Sequence, residues 1–165
     1  MNIARVLKHL FCTRWGVRRH FTPAVLADIE AAIREVESRH SGEICFVVEA
    51  SLDGEDLWRG LSPRARALQL FGHLGVWDTA NNNGVLIYVL FADHDVEIVA
   101  DRGIAARVPQ SDWEQVCREI EAHYRAGRFG HGSVAGIRAV GTLLERHFPG
   151  QAAGTNELPN QPVLL

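Results

Sequence analysis

A three-layer α/β/α sandwich with a small mixed β-sheet is the fold class the sequence predicts, on three observations. Its segments follow the order helix, strand, helix, strand pair, helix, helix. Residues 85–91 (VLIYVLF) carry no charge at any position, as expected of a central strand covered on both faces. Residues 85–91 and 96–100 flank Asp93-His94-Asp95, a short acidic turn that reads as a β-hairpin. Helices on both faces of such a sheet are the economical way to bury it.

The 165 residues allow one domain with a real core, assigned to 21–149 between a basic amphipathic N-terminal segment (1–20) and a flexible C-terminal tail (150–165). In the leader, Ile3, Val6, Leu7, Leu10 and Phe11 fall on one helical stripe, with Arg5, Lys8 and His9 off it. Residues 1–20 also carry Arg14, Arg18 and Arg19 beside Trp15, and no acid. Two readings fit: an interfacial helix on an anionic membrane, or a helix folded back to cover its own domain. The candidate contacts for a membrane or protein complex are Arg5, Lys8, Arg14, Trp15, Arg18 and Arg19.

Thr22-Pro23 opens the next helix, with Thr22 as cap and proline where a missing N–H costs nothing. Val25, Leu26, Ile29, Ile33 and Val36 form its apolar stripe, and Ser41-Gly42 stops it. Residues 43–49 (EICFVVE) read as a strand, and 51–60 as a loop. Ser62-Pro63 starts a helix through about Gly72, with Ala65, Leu68 and Phe71 on its expected buried side. After the hairpin, Ser111-Asp112-Trp113-Glu114 has the form of a capping box. The helix it opens carries Val116, Ile120 and Tyr124. A last helix runs through Val134, Ile137, Val140, Leu143 and Leu144.

Several function classes are excluded or disfavoured. A net charge of −3 argues against a general nucleic-acid surface. Cys12, Cys45 and Cys117 are odd in number and outside any CxxC pattern, which argues for a reducing compartment, and Cys45 and Cys117 fall in apolar runs as packed thiols. No stretch approaches the roughly 20 apolar residues of a transmembrane helix, and the N-terminus lacks the pattern of a signal peptide. The expected location is the cytoplasm, with a peripheral place at the inner face of the membrane if the leader binds lipid. No nucleophile-elbow, zinc-protease, phosphate-loop or dinucleotide fingerprint occurs. Gly130-His131-Gly132-Ser133 lacks the strand and lysine of a phosphate loop, so its expected role is tight packing between two helices. The eight histidines show no ligand-like spacing and read as surface or interface residues.

Polar side chains gather instead at the ends of the hairpin. Asp78, Asn81, Asn82 and Asn83 precede the central strand, and Asp101-Arg102 follows its partner. Hairpin register places Asn82, Asn83 and Asp101 at one edge of the sheet, with Asp93 and Asp95 at the other end. Grouped amide and carboxylate oxygens suit a hard cation, calcium or magnesium. The metal candidates are Asn82, Asn83, Asp101 and Asp78, and the surrounding cleft takes Asn81, Gly84, Arg102 and Gly103. Turn chemistry is the competing explanation for Asn83-Gly84, since both residues tolerate left-handed backbone angles.

Several of these pieces together resemble the TPM domain family, known from a thylakoid-lumen protein, a photosystem II repair factor and a nematode receptor modulator. They are Ser41-Gly42-Glu43-Ile44, Trp77 ahead of Asn82-Asn83-Gly84-Val85-Leu86, the turn and strand 93–99, Gly103-Ile104, and Tyr124-Arg125-Ala126-Gly127-Arg128-Phe129. The resemblance covers about residues 22–148. It implies an α/β/α sandwich and, in some members, divalent-cation binding at a loop-built cleft. Acid phosphatase activity is attributed to some members, and others act on membrane-bound complexes. This chain differs by lacking the usual export signal and hydrophobic anchor and by adding the basic leader. It also reads Asp101-Arg102-Gly103-Ile104-Ala105-Ala106 where many members have Gly-x-Gly-Leu-Glu. Their glutamate is Ala105 here, while Asp101 is gained.

Three functional expectations result. The first is a non-catalytic binding or accessory domain that docks to a membrane-associated protein complex and takes a divalent cation at the cleft. The alternative is a metal-dependent acid phosphatase, in which the cation polarises a phosphoryl oxygen, Asp101 helps hold it and Arg102 neutralises phosphate charge. The third is that the polar loops serve folding only.

Overall fold

The computed structural model describes residues 3–150 and 156–165. The chain opens with helices α1 (Ile3–Phe11), α2 (Arg14–His20) and α3 (Pro23–Glu37), then strand β1 (Glu43–Glu49). Helices α4 (Gly54–Trp58) and α5 (Pro63–His73) lead to β2 (Gly84–Leu90), a 3₁₀ turn (Phe91–Asp93) and β3 (Asp95–Ala100). Short α6 (Arg102–Ala105), long α7 (Gln110–Arg125) and α8 (Phe129–His147) follow, and β4 (Val163–Leu164) ends the chain.

Two helix starts form as their sequences predict. Thr22 Oγ1 accepts the Val25 N–H at 3.3 Å ahead of Pro23, and Ser62 Oγ accepts the Ala65 N–H at 3.1 Å ahead of Pro63. Each side chain satisfies a donor that the first helical turn leaves open.

The sheet has the order β3-β2-β1-β4 and is mixed. β1 runs parallel to β2 and β4, while β2 and β3 are antiparallel with Val85 opposite Ala100 and Leu90 opposite Asp95. Side chains alternate across it with the two-residue period of a strand. Ile44, Phe46, Val48, Val85, Ile87 and Val89 point to the layer formed by α3, α7 and α8. Cys45, Val47, Leu86, Tyr88 and Leu90 point to the layer of α4 and α5. This is the α/β/α sandwich, and β2 is buried at every position as its uncharged sequence requires.

Tyr88 is the polar exception inside β2. Its hydroxyl donates to Glu49 Oε2 at 2.6 Å, and Arg66 clasps the same carboxylate at 2.6–3.2 Å. The buried acid is thereby both paired and hydrogen-bonded, which a charge in this position needs. Between α7 and α8 the glycines permit close approach: a Cβ on Gly132 would lie 2.6 Å from His123 Cβ, and one on Gly136 2.3 Å from Ile120 Cδ1. Gly130–Ser133 therefore serves tight packing, already inside the first turns of α8.

Several local expectations are corrected. The leader is two helices rather than one, broken at Cys12-Thr13, where Thr13 caps α2 by accepting from the Gly16 N–H. The loop 51–60 contains α4. The fully buried residues of α5 are Ala67 and Leu70; of the expected set, Phe71 packs partly buried beside them, Ala65 is half-buried and Leu68 is exposed. No capping box forms at Ser111: α7 starts one residue earlier, after Pro109, and no side chain caps it. His9 and His40 are buried rather than superficial. The C-terminal tail is in part a sheet element, since Val163 and Leu164 pair with Val47 and Val48. Residues 151–155 of that tail, and residues 1–2 of the leader, lie outside the described residues.

Candidate functional site

The edge predicted to gather polar groups exists, and the sheet builds it. β1 and β2 start there and β3 ends there, with Glu43 opposite Gly84 and the Asp101 N–H donating to the Gly84 carbonyl at 2.8 Å. Asn83 and Asp101, far apart in sequence, are therefore neighbours across Gly84.

The backbone of Asn83 is fixed from both sides. Its N–H donates to Thr79 Oγ1 at 3.0 Å, and its carbonyl accepts the Glu43 N–H at 3.0 Å. Its side-chain Nδ2 donates to the Ser41 carbonyl, which sets the amide orientation and leaves Oδ1 as the free end. Asp101 caps α6 by accepting the Arg102 N–H at 2.7 Å through Oδ1. Asn83 Oδ1 and Asp101 Oδ2 are both buried, without a hydrogen-bond partner among the described residues. Two acceptors in this state are costly unless a donor or a cation meets them.

The other predicted residues divide around this pair. Asn82 is the left-handed residue of the turn (φ 51°), and its Oδ1 accepts from Arg102 Nε at 2.9 Å. Positive φ was expected at Asn83-Gly84, yet Gly84 is extended strand. Glycine is required there by space: a Cβ would lie 2.0 Å from the Val76 carbonyl oxygen. Gly103 likewise presses on the turn, where a Cβ would meet the carbonyl oxygens of Asn82 at 2.5 Å and Asn81 at 3.1 Å. The structure thus unites Asn81, Asn82, Asn83, Gly84, Asp101, Arg102 and Gly103. Asp78 is exposed, and its N–H donates to the Gly75 carbonyl.

Acidic residues at the same edge escaped sequence reasoning as site members. Glu43 is buried beside Gly84 and accepts the Leu158 N–H at 3.4 Å; burial holds its pKa above the ordinary glutamate value. Glu157 Oε2 accepts the Ala80 N–H at 2.9 Å, bringing the C-terminal segment onto the asparagine turn. Glu37 accepts the Ile44 N–H at 2.7 Å, and burial pushes it up to about 7. Glu43 lies inside the quoted Ser41–Ile44 motif, which was the available signal. Nothing local points to Glu157.

For a hard cation, Asn83 Oδ1 and Asp101 Oδ2 are suitable oxygen donors. Asn82 Oδ1 is engaged by a guanidinium, and Ala105 has no side-chain oxygen to offer. Among the described residues no group of three or more His, Cys, Asp or Glu is arranged to hold a metal ion.

At the opposite end of the sheet lies the leader. Arg5 Nε donates to Asp93 Oδ2 at 2.8 Å and Arg5 Nη1 to the Leu61 carbonyl at 3.2 Å. His9 accepts the Leu52 N–H at Nδ1 (3.0 Å) and places Nε2 3.2 Å from Asp93 Oδ2. Arg5 is thus a structural anchor rather than a free contact, whereas Lys8, Arg14, Trp15, Arg18 and Arg19 are exposed.

The TPM domain family model matches residues 18–143. This chain belongs to the TPM domain family. Of the solved structures, the chain is similar to the BA42 protein from the psychrophilic bacterium Bizionia argentinensis, at 31% identity and TM-score 0.76, covering 87% of this chain and 94% of that one. The N-terminal domain of a P. gingivalis protein aligns at 21% identity and TM-score 0.64, covering 77% of this chain and 78% of that one. The N-terminal domain of cg2496 from Corynebacterium glutamicum aligns at 13% identity and TM-score 0.58, covering 82% of each chain. These last two share the fold. No curated protein matches the chain. The TPM match begins at residue 18, so α1 and the start of α2 lie outside it. Among the described residues no helix is long and apolar enough to cross a membrane.

Proposed function

We propose that this TPM domain is a non-catalytic accessory domain that takes a divalent cation, calcium or magnesium, at the strand-start edge of its sheet and docks to a membrane-associated assembly. One observation carries the cation reading: at the strand-start edge, on either side of the Gly84 backbone pairing, Asn83 Oδ1 and Asp101 Oδ2 are both buried acceptors without donors among the described residues. A cation bound at this edge would give these acceptors the partner they lack, and Arg102 Nε, donating to Asn82 Oδ1, ties the turn to α6. The phosphatase alternative would use the same cation to polarise a phosphoryl oxygen, but among the described residues no nucleophile or general base is hydrogen-bonded to Asn83 Oδ1 or Asp101 Oδ2.

Amide chemical shifts followed through a calcium and then a magnesium titration test the reading. Perturbation should centre on residues 78–84 and 101–104, and Asp101→Asn, which can still cap α6, should weaken the response at least ten-fold. A silent titration at millimolar metal in the native protein would end the cation reading. Metal-dependent hydrolysis of p-nitrophenyl phosphate, lost with Asp101→Asn, would replace it with the phosphatase.

A further inference from the structure

The leader helix is mounted with its amphipathicity reversed. At 100° per residue, Arg5 and His9 share one side of α1, and this polar side is turned to the protein, with His9 only 3% exposed. The apolar side faces out: Ile3 is 67% exposed, Leu7 48%, Leu10 68% and Phe11 82%. Trp15, at the start of α2, continues that surface at 69% exposure. An ordinary surface helix buries its apolar stripe and wets its polar one. The expectation that the leader covers its own domain therefore holds for only one side of the helix, the polar one.

Contiguous exposed hydrophobics rimmed by polar groups mark an interaction surface, and here the rim is cationic. Lys8, Arg14, Arg18 and Arg19 are all exposed, and residues 1–20 contain no acid, although the whole chain carries −3. The Arg19 guanidinium lies 4.7 Å over the Trp15 ring, placing a cation beside an amphipathic aromatic. A second copy of this chain is a poor occupant, because a two-fold contact would bring the same four cations together.

We propose that the outer face of α1 and the start of α2 is a docking surface for an anionic lipid bilayer. Ile3, Leu7, Leu10 and Phe11 enter the acyl boundary, Trp15 sits at headgroup level, and Lys8, Arg14, Arg18 and Arg19 meet lipid phosphates. Asp93 is the fixed post of the arrangement. It accepts from Arg5 and faces His9 Nε2, so the anchors hold the inner side of α1 and leave the outer side for lipid. The proposed cation edge lies at the other end of the sheet, about 20 Å away by strand rise. This surface specifies the docking half of the proposed function and rests on it; the cation half can stand or fall alone.

The test is flotation of the full chain with protein-free vesicles of phosphatidylglycerol and phosphatidylcholine, against vesicles of phosphatidylcholine alone. The native chain should float with the anionic vesicles and weaken with added salt. Leu7→Ser with Phe11→Ser, both at exposed positions, should lower the bound fraction at least ten-fold with the thermal midpoint unchanged. Arg18→Gln with Arg19→Gln should weaken binding roughly 30-fold, since each basic residue near such a surface is worth about five-fold. Native protein that ignores anionic vesicles at low salt overturns the proposal, as does undiminished binding by the Leu7/Phe11 variant. Binding to native membrane vesicles but not to protein-free ones would assign the surface to a protein receptor, keeping the docking reading and overturning the lipid. A concentration-dependent dimer in sedimentation, abolished by the Leu7/Phe11 pair in a chain that binds no lipid, would overturn both.

Discussion

Replacing Glu37 with glutamine should stabilise the protein at alkaline pH and do little in acid. Glu37 ends α3, and Oε1 accepts the N–H of Ile44 in β1. Burial raises its pKa from 4.5 to about 7; the Ile44 hydrogen bond opposes that rise and the nearby Glu43 charge adds to it. The folded chain therefore holds more protons than the unfolded chain between those two values. The stability linked to this group is complete below about pH 4.5 and is lost as pH rises through 7. At 1.36 kcal/mol per pH unit, that interval corresponds to roughly 3 kcal/mol by pH 8. Glutamine keeps the acceptor for Ile44 and carries no charge to desolvate. Glu37→Gln should thus raise the thermal midpoint by roughly 5–10 °C at pH 8 and by about 1 °C or less at pH 4.5. Asp95, raised to about 6 chiefly by burial, titrates in the same sense, and His40, lowered to about 4 by burial, in the opposite sense. Both are present in each protein and cancel in the difference. Paired melting curves from pH 4.5 to 8.5 provide the measurement. A midpoint difference that does not change with pH would refute the reasoning.

Two further substitutions probe the two ends of the sheet. Gly103→Ala places a methyl group 2.5 Å from the Asn82 carbonyl oxygen, so the turn must open. Chemical denaturation should show a loss of about 1–3 kcal/mol, and the metal response at residues 78–84 should weaken with it. Asp93→Ala removes the post shared by Arg5 and His9. Amides of residues 3–11 should exchange about 10- to 100-fold faster, from the roughly 1.5–3 kcal/mol typical of charged hydrogen bonds, while core exchange in β1 and β2 stays unchanged.

Much of this fold was legible because its signals are local. The unbroken apolar run of β2 declares a strand covered twice, and Thr22-Pro23 and Ser62-Pro63 declare helix starts through short-range capping. Hairpin register alone brought Asn83 next to Asp101, because antiparallel pairing fixes which strand ends meet. Where reading failed, longer-range packing had overridden a local pattern. Ser111 matches a capping box, yet α7 starts at Gln110 after Pro109. Val163 and Leu164 follow a segment rich in Gly, Asn and Pro, and two residues carry no periodicity. Their strand character comes from the open edge of β1.

The leader divides these contributions most clearly. Its sequence alone determines that, on a nine-residue helix, a stripe of Ile3, Leu7, Leu10 and Phe11 opposes Arg5 and His9, since helical geometry permits no other separation. It cannot determine which side faces the domain. That choice is made by Asp93 and the Leu52 N–H, groups 40 or more residues away, whose hydrogen bonds claim the polar side and leave the apolar side to solvent. The asparagine turn follows the same division. Asn82-Asn83-Gly84 determines a turn into a strand, but only tertiary packing decides that Ser41 takes the Asn83 amide nitrogen and leaves its oxygen buried without a partner. Burial without a partner is a property of surroundings, and the surroundings come from segments distant in the chain.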